Sequence, residues 1–130
     1  MILSLTVTNW MSFKDETRWL LVASQERTHR DRLPKKGRLA VSPIAAIFGP
    51  NASGKTNLIA ALAFIQQLVL KGPPHNNETS TGVRPYALSG TTHHPHTTFE
   101  LEMLINDRVY AYTVSLTTKR IIKEELSEIR

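Results

Sequence analysis

This 130-residue sequence predicts an α/β fold in which antiparallel strands flank one strand–loop–helix unit, and three features carry that prediction. Residues 2–8 and 98–105 alternate between apolar and polar side chains, the period-two signature of half-buried strands. The run Ile44-Ala45-Ala46-Ile47-Phe48 is apolar throughout, as in a strand covered on both faces. Residues 57–70 form a longer apolar stretch of helical length that follows a glycine-bearing loop.

Taken in order, the chain begins with a hairpin over residues 1–24. Leu3, Leu5 and Val7 are expected on one face of the first strand, with Ser4, Thr6 and Thr8 on the other. Asn9 to Lys14 form a turn holding Trp10 and Phe13, and Thr17 to Ala23 return as the second strand. Residues 25–43 are a connector loop in which Arg27, Arg30, Arg32, Lys35, Lys36 and Arg38 fall around Pro34 and Gly37. Contact with DNA or RNA phosphates is one reading of this basic run. A solvated connector is the other, and it is favoured because no aromatic residue interleaves with the charges and no groove-fitting helix carries them.

Residues 44–70 hold the chemistry. Gly49-Pro50-Asn51-Ala52-Ser53-Gly54-Lys55-Thr56 fits the phosphate-loop pattern G-x-x-x-x-G-K-[ST], the Walker A motif. The glycines let the backbone curl with its N–H groups inward, the lysine reaches the β/γ-phosphates, and the threonine hydroxyl ligates Mg²⁺. A strand enters this loop and a helix leaves it, the order a triphosphate cradle requires. Asn57, the next residue, completes the candidate ATP-binding set of Gly49, Pro50, Asn51, Ala52, Ser53, Gly54, Lys55, Thr56 and Asn57, with Thr56 the Mg²⁺ ligand.

The helix is expected over Asn57 to Leu70 and is apolar almost all round, which predicts burial on most sides. Lys71 near the negative dipole end, Gly72 at the C-cap and Pro73-Pro74 mark its stop. Residues 71–97 are assigned to a loop. His93, His94 and His96 cluster within it, but the intervening Pro95 and the lack of a neighbouring carboxylate favour a polar turn over a metal site. Residues 98–130 are expected to form a β-meander: a strand alternating through Phe99, Leu101, Met103 and Ile105, a turn at Asn106-Asp107, a strand over 109–116 and a third over 120–129. The last segment also admits a helix, and strand is preferred.

Composition narrows the function classes. A hydrophobic fraction of 41% and a charged fraction of 21% are ordinary for a globular domain, and no segment approaches the roughly eighteen apolar residues of a membrane span. The absence of cysteine excludes disulfides and thiolate metal sites, and residues 1–5 lack the features of a signal peptide, so a cytoplasmic location is expected. The net charge of +5 permits association with nucleic acid without requiring it. One small domain fits the length, yet a parallel nucleotide-binding sheet needs several crossovers and only one such helix is visible, so an incomplete module is expected.

Four stretches in this order resemble the N-terminal lobe of ABC-type AAA family ATPases, the group related to SMC, RecF and OLD-like ATPases and common in bacterial anti-phage systems. They are Leu5 to Phe13 (LTVTNWMSF), Ile44 to Leu62 (IAAIFGPNASGKTNLIAAL), Arg84 to Leu88 (RPYAL), and Phe99 to Leu126 with its closing EEL. The resemblance implies a P-loop NTPase fold of the ABC/SMC-like head type, with an antiparallel lobe beside the Walker A unit. It also implies ATP and Mg²⁺ as cofactors and a nucleotide sandwiched between two heads of a homodimer. The backbone of Asn51 to Lys55 would wrap the β- and γ-phosphates, Asn51 would approach the γ-phosphate, and Ser12 and Phe13 would lie toward the base side. Ala52 stands where many SMC relatives carry glycine.

Two elements of a hydrolytic head have no counterpart in the sequence. An apolar strand ending in Asp-Glu holds the metal and polarises the attacking water, and a signature serine comes from the partner. Leu88-Ser89-Gly90 lacks the second glycine and the helix of such a signature, and Leu104-Ile105-Asn106-Asp107 reads as a turn. Two functions follow from these facts. One is Mg-dependent ATP hydrolysis, completed outside this chain and coupled to DNA processing or to an anti-phage effector such as a nuclease. The other is a nucleotide- or nucleic-acid-binding module that does not hydrolyse ATP. A transporter ATPase subunit ranks third, because the N-W-M-S-F stretch and the lack of an adenine-stacking aromatic residue argue against it.

Overall fold

A computed structural model describes residues 1–21, 35–36, 39–40, 54–72, 80–86 and 96–130. Its elements are β1 (Ile2–Thr8), β2 (Thr17–Leu20), β3 (Lys35–Lys36), β4 (Leu39–Ala40), α1 (Lys55–Lys71), β5 (Thr97–Ile105), β6 (Arg108–Leu116) and β7 (Ile121–Ile129). Residues 44–48, where a strand is expected, residues 49–53 of the motif, His93, His94 and Leu88-Ser89-Gly90 lie outside the described residues.

The amino-terminal hairpin and the carboxy-terminal meander form one five-stranded sheet in the order β2-β1-β5-β6-β7, with every neighbouring pair antiparallel. The join is the pairing of β1 with β5, which sets Leu5 opposite Leu101 and Val7 opposite Phe99. Both strands present a fully apolar stripe there, and side-by-side pairing lets one helix cover both. Asn106 and Asp107 turn β5 into β6 with φ values of 49° and 65°. Two successive left-handed residues give the two-residue turn whose twist matches the strands, and Asn and Asp tolerate that conformation. The connector predicted as loop contains a short ladder, with Lys35 opposite Ala40 and Lys36 opposite Leu39.

Two sequence expectations are corrected. Leu3 does not share a face with Leu5 and Val7. Ile2 pairs with Met103 but Ser4 pairs with Glu102, so β1 carries one residue more than β5 at this point. The bulge turns Leu3 to the opposite face, against Leu104 and Val109, while Ile2 packs toward the main core. Helix α1, in turn, is buried along one stripe only. Leu58, Ala61, Ile65 and Leu68 face the sheet, whereas Ile59, Val69 and Leu70 are 52%, 59% and 74% exposed. One sheet face covers about one side of a cylinder, and among the described residues nothing covers the other side. The exposed flank borders an apolar groove of about 920 Å³ that runs from Ile59 and Leu62 to Leu126 of β7.

The main core lies between α1 and the sheet, with Leu5, Val7, Phe99, Leu101, Val114 and Leu116 meeting the helical stripe. Trp10 stands edge-on to Phe99 with ring centroids 5.1 Å apart at 70°, and 5.3 Å from Phe64 of α1, so three aromatic rings tie turn, sheet and helix together. The other sheet face is more polar. There Ser4 Oγ and Arg18 both donate to Glu102 Oε2, at 2.8 and 3.1 Å. Among the described residues no helix is long and apolar enough to cross a membrane.

Candidate functional site

The amino-terminal end of α1 is built by Gly54. Its φ of +93° is a left-handed conformation that lets the chain swing from the loop into the helix, and Leu58 N–H donates to its carbonyl at 3.0 Å. The helix begins at Lys55, two residues earlier than its apolar pattern predicts, because Lys55 and Thr56 carry no apolar signal but continue the helical backbone. No side chain caps this end and the first turn holds no acidic residue. A helix start without a capping side chain leaves its orphan N–H groups and the positive end of its dipole for an anion. Lys55 is half-buried and Thr56 exposed at this end.

The turn between β1 and β2 comes to the same place. Trp10 and Phe13 close it with two backbone hydrogen bonds, Trp10 N–H to Phe13 O at 2.8 Å and Phe13 N–H to Trp10 O at 2.7 Å. Trp10, 2% exposed, donates from Nε1 to the backbone carbonyl of Asn57 at 2.8 Å. Asn57 Nδ2 donates to Ser12 Oγ, also at 2.8 Å. A methyl group added at Gly54 would meet Phe13 Cζ and Ser12 Oγ, each at 2.9 Å, so these two side chains press directly on the last loop glycine.

The turn is itself pinned from behind. Asn9 is buried; its Oδ1 accepts from Tyr86 N–H at 3.0 Å, its Nδ2 donates to His96 O at 3.3 Å, and its carbonyl accepts from Thr97 Oγ1 at 2.6 Å. Met11 N–H donates to Arg84 O at 2.8 Å. Residues 84–86, from the RPYAL stretch, thus brace the turn. Sequence reasoning placed Ser12 and Phe13 near a nucleotide only through resemblance and gave Trp10 no role; its indole N–H beside a polar turn was the available signal.

Of the predicted set, Gly54, Lys55, Thr56 and Asn57 are therefore gathered at one helix end with Trp10, Ser12 and Phe13, while Gly49, Pro50, Asn51, Ala52 and Ser53 lie outside the described residues. No group of three metal-ligating side chains occurs among the described residues.

A G-x-x-x-x-G-K-[ST] motif running into a helix is the sequence pattern of a P-loop domain, and the described elements are of the α/β class. Residues 44–130 match the AAA domain family of AbiEii-toxin type, described under type IV toxin–antitoxin systems. The match covers more than half of the chain, and the chain belongs to this family. No curated protein and no solved structure gave a significant match.

Proposed function

We propose that the chain binds Mg-ATP through Gly49 to Asn57. Lys55 neutralises the β- and γ-phosphates, Thr56 ligates Mg²⁺, the backbone of residues 51–55 wraps the phosphates, and Asn51 approaches the γ-phosphate. The single observation that carries this reading is the uncapped helix start at Gly54-Lys55-Thr56, coinciding with the carboxy-terminal half of the G-x-x-x-x-G-K-[ST] pattern. The residues present suit the cofactors: a cation for the phosphates, a hydroxyl for a hard metal, and the N–H groups of a helix start.

Residues 1–130 then form the amino-terminal portion of an ABC-type head of the SMC, RecF and OLD-like kind. The strands of 1–24 and 98–130 make its antiparallel lobe, 25–43 and 71–97 are connectors, and 44–70 is the Walker A unit. In the complete protein two heads sandwich ATP as a homodimer in the cytoplasm, and hydrolysis is coupled to DNA processing or to an anti-phage effector such as a nuclease. The acidic strand and signature serine that hydrolysis requires are not in this sequence. That fact favours a second reading for the chain alone, a non-hydrolysing module that binds nucleotide, or DNA or RNA through Arg27 to Arg38.

Calorimetric titration with Mg-ATP tests the first reading. Lys55→Ala should weaken binding roughly ten- to a hundredfold, the loss of a charge-assisted contact worth about 1.5–3 kcal/mol. Equal affinity of the variant and the unaltered chain would sink it. Salt-dependent binding of DNA that Arg30→Ala, Arg32→Ala and Lys36→Ala together abolish would favour the second.

A further inference from the structure

We propose that Asn57 belongs to the ATP-binding set as a positioning residue: by holding Trp10 through its carbonyl and Ser12 through its carboxamide it couples the nucleotide site to the β1–β2 turn, and its side chain is not a nucleotide ligand. This rests on the nucleotide-binding reading above. Asn57 is gripped at both ends, its carbonyl by Trp10 Nε1–H and its carboxamide by Ser12, each at 2.8 Å. It directly follows Thr56 in the first turn of α1, so any adjustment of that turn to a phosphate group strains both bonds.

The partners on the turn have little freedom to follow such an adjustment. Trp10 is held among Phe64 and Phe99, and Met11 is fixed to Arg84. Ser12 and Phe13 already lie within 2.9 Å of where a Gly54 side chain would begin. The left-handed bend that opens the helix is therefore clamped from the amino-terminal turn. A clamp of this kind removes part of the ordering cost that a free loop would meet on binding. By reciprocity, bound nucleotide tightens the turn as much as the turn tightens the nucleotide.

The test is calorimetric titration of Mg-ATP onto the 130-residue chain and onto Ser12→Ala, Asn57→Ala, the double variant and Trp10→Phe, with a thermal melt of each to establish that it is folded. Ser12 is exposed, so its variant is expected to fold. Each single substitution should weaken binding roughly three- to tenfold, the loss of one hydrogen bond. Ser12→Ala and Asn57→Ala should be non-additive, the double variant binding no more weakly than the worse single. Trp10→Phe, which keeps an aromatic ring but removes the donor, should weaken binding as well.

A second readout separates positioning from general stability. In a Trp19→Phe background the remaining indole, Trp10, should change its emission on addition of Mg-ATP, because its partner is the Asn57 carbonyl in the first turn of α1. Ser12→Ala and Asn57→Ala leave that carbonyl in place and should keep the response, shifted to higher nucleotide concentration. No response in the unaltered chain at saturating nucleotide would overturn the coupling. Unchanged affinity in Ser12→Ala beside weakened binding in Asn57→Ala would make Asn57 a direct ligand and overturn the proposal, as would additive losses or unchanged affinity in both. If the unaltered chain shows no binding, the functional reading itself fails and this inference falls with it.

Discussion

The hydroxyl of Tyr112 on β6 donates to the carboxylate of Glu124 on β7 at 2.7 Å. The two are diagonal rather than direct cross-strand neighbours, because Tyr112 stands opposite Leu126 and Glu124 opposite Val114. Both border the apolar groove beside α1, where Leu126, opposite Tyr112, is itself 64% exposed. An anionic acceptor in an apolar setting makes the neutral phenol the favoured form.

That relationship gives a pH dependence. Burial, then the hydrogen bond to Glu124 and the charge of its carboxylate, raise the Tyr112 pKa well above the usual tyrosine range. The folded-state value exceeds the unfolded one, so the contribution is intact below about pH 10, where an unfolded tyrosine begins to ionise. It is lost as pH rises from there toward the folded-state value, since the unfolded chain releases a proton that the folded chain retains. Urea denaturation at about pH 8 and pH 11 should show a steeper alkaline loss for the unaltered chain than for Tyr112→Phe. Identical losses would show that the phenol is not held neutral.

Gly54 and Gly72 bracket α1 with positive φ values of 93° and 71°, but their surroundings differ. A Cβ at Gly72 meets nothing within 4 Å, whereas one at Gly54 meets Ser12 and Phe13 at 2.9 Å. Gly72→Ala should cost about 1–3 kcal/mol from backbone strain alone. Gly54→Ala should cost more, because Ser12 must move and its bond from Asn57 breaks. Equal shifts in a denaturation midpoint would show that the turn does not press on the loop.

The two flanks of α1 should respond oppositely to truncation. Ile65 is 3% exposed in the main core and Leu70 is 74% exposed. Ile65→Ala is expected to lose about 2–5 kcal/mol through lost burial and the cavity left behind. Leu70→Ser should stay within about 0.5 kcal/mol. A large loss at Leu70 would mean that its flank is covered in solution.

Much of this was legible in the sequence, for reasons that are local. The alternation of 98–105, the Asn106-Asp107 turn and the Lys71-Gly72-Pro73 stop each encode their structure within a few residues. The displacement of Leu3 was not, because a bulge is a property of the pairing between β1 and β5 and leaves no trace in β1 alone. Nor was the partial burial of α1. An apolar helix declares that it can be buried, but which flank is covered depends on where the sheet lies.

The sequence by itself determined the class of chemistry, since G-x-x-x-x-G-K-[ST] between an apolar run and a helix is a local pattern whose positions have fixed mechanical roles. It determined β1 and β5 as well, through their period. Only the tertiary structure decided that hairpin and meander are one sheet, and that Trp10 and Ser12 reach Asn57 from 47 and 45 residues away. Those contacts depend on β1 lying beside β5 under α1, and a packing arrangement among distant segments has no expression in the residues next to one another along the chain.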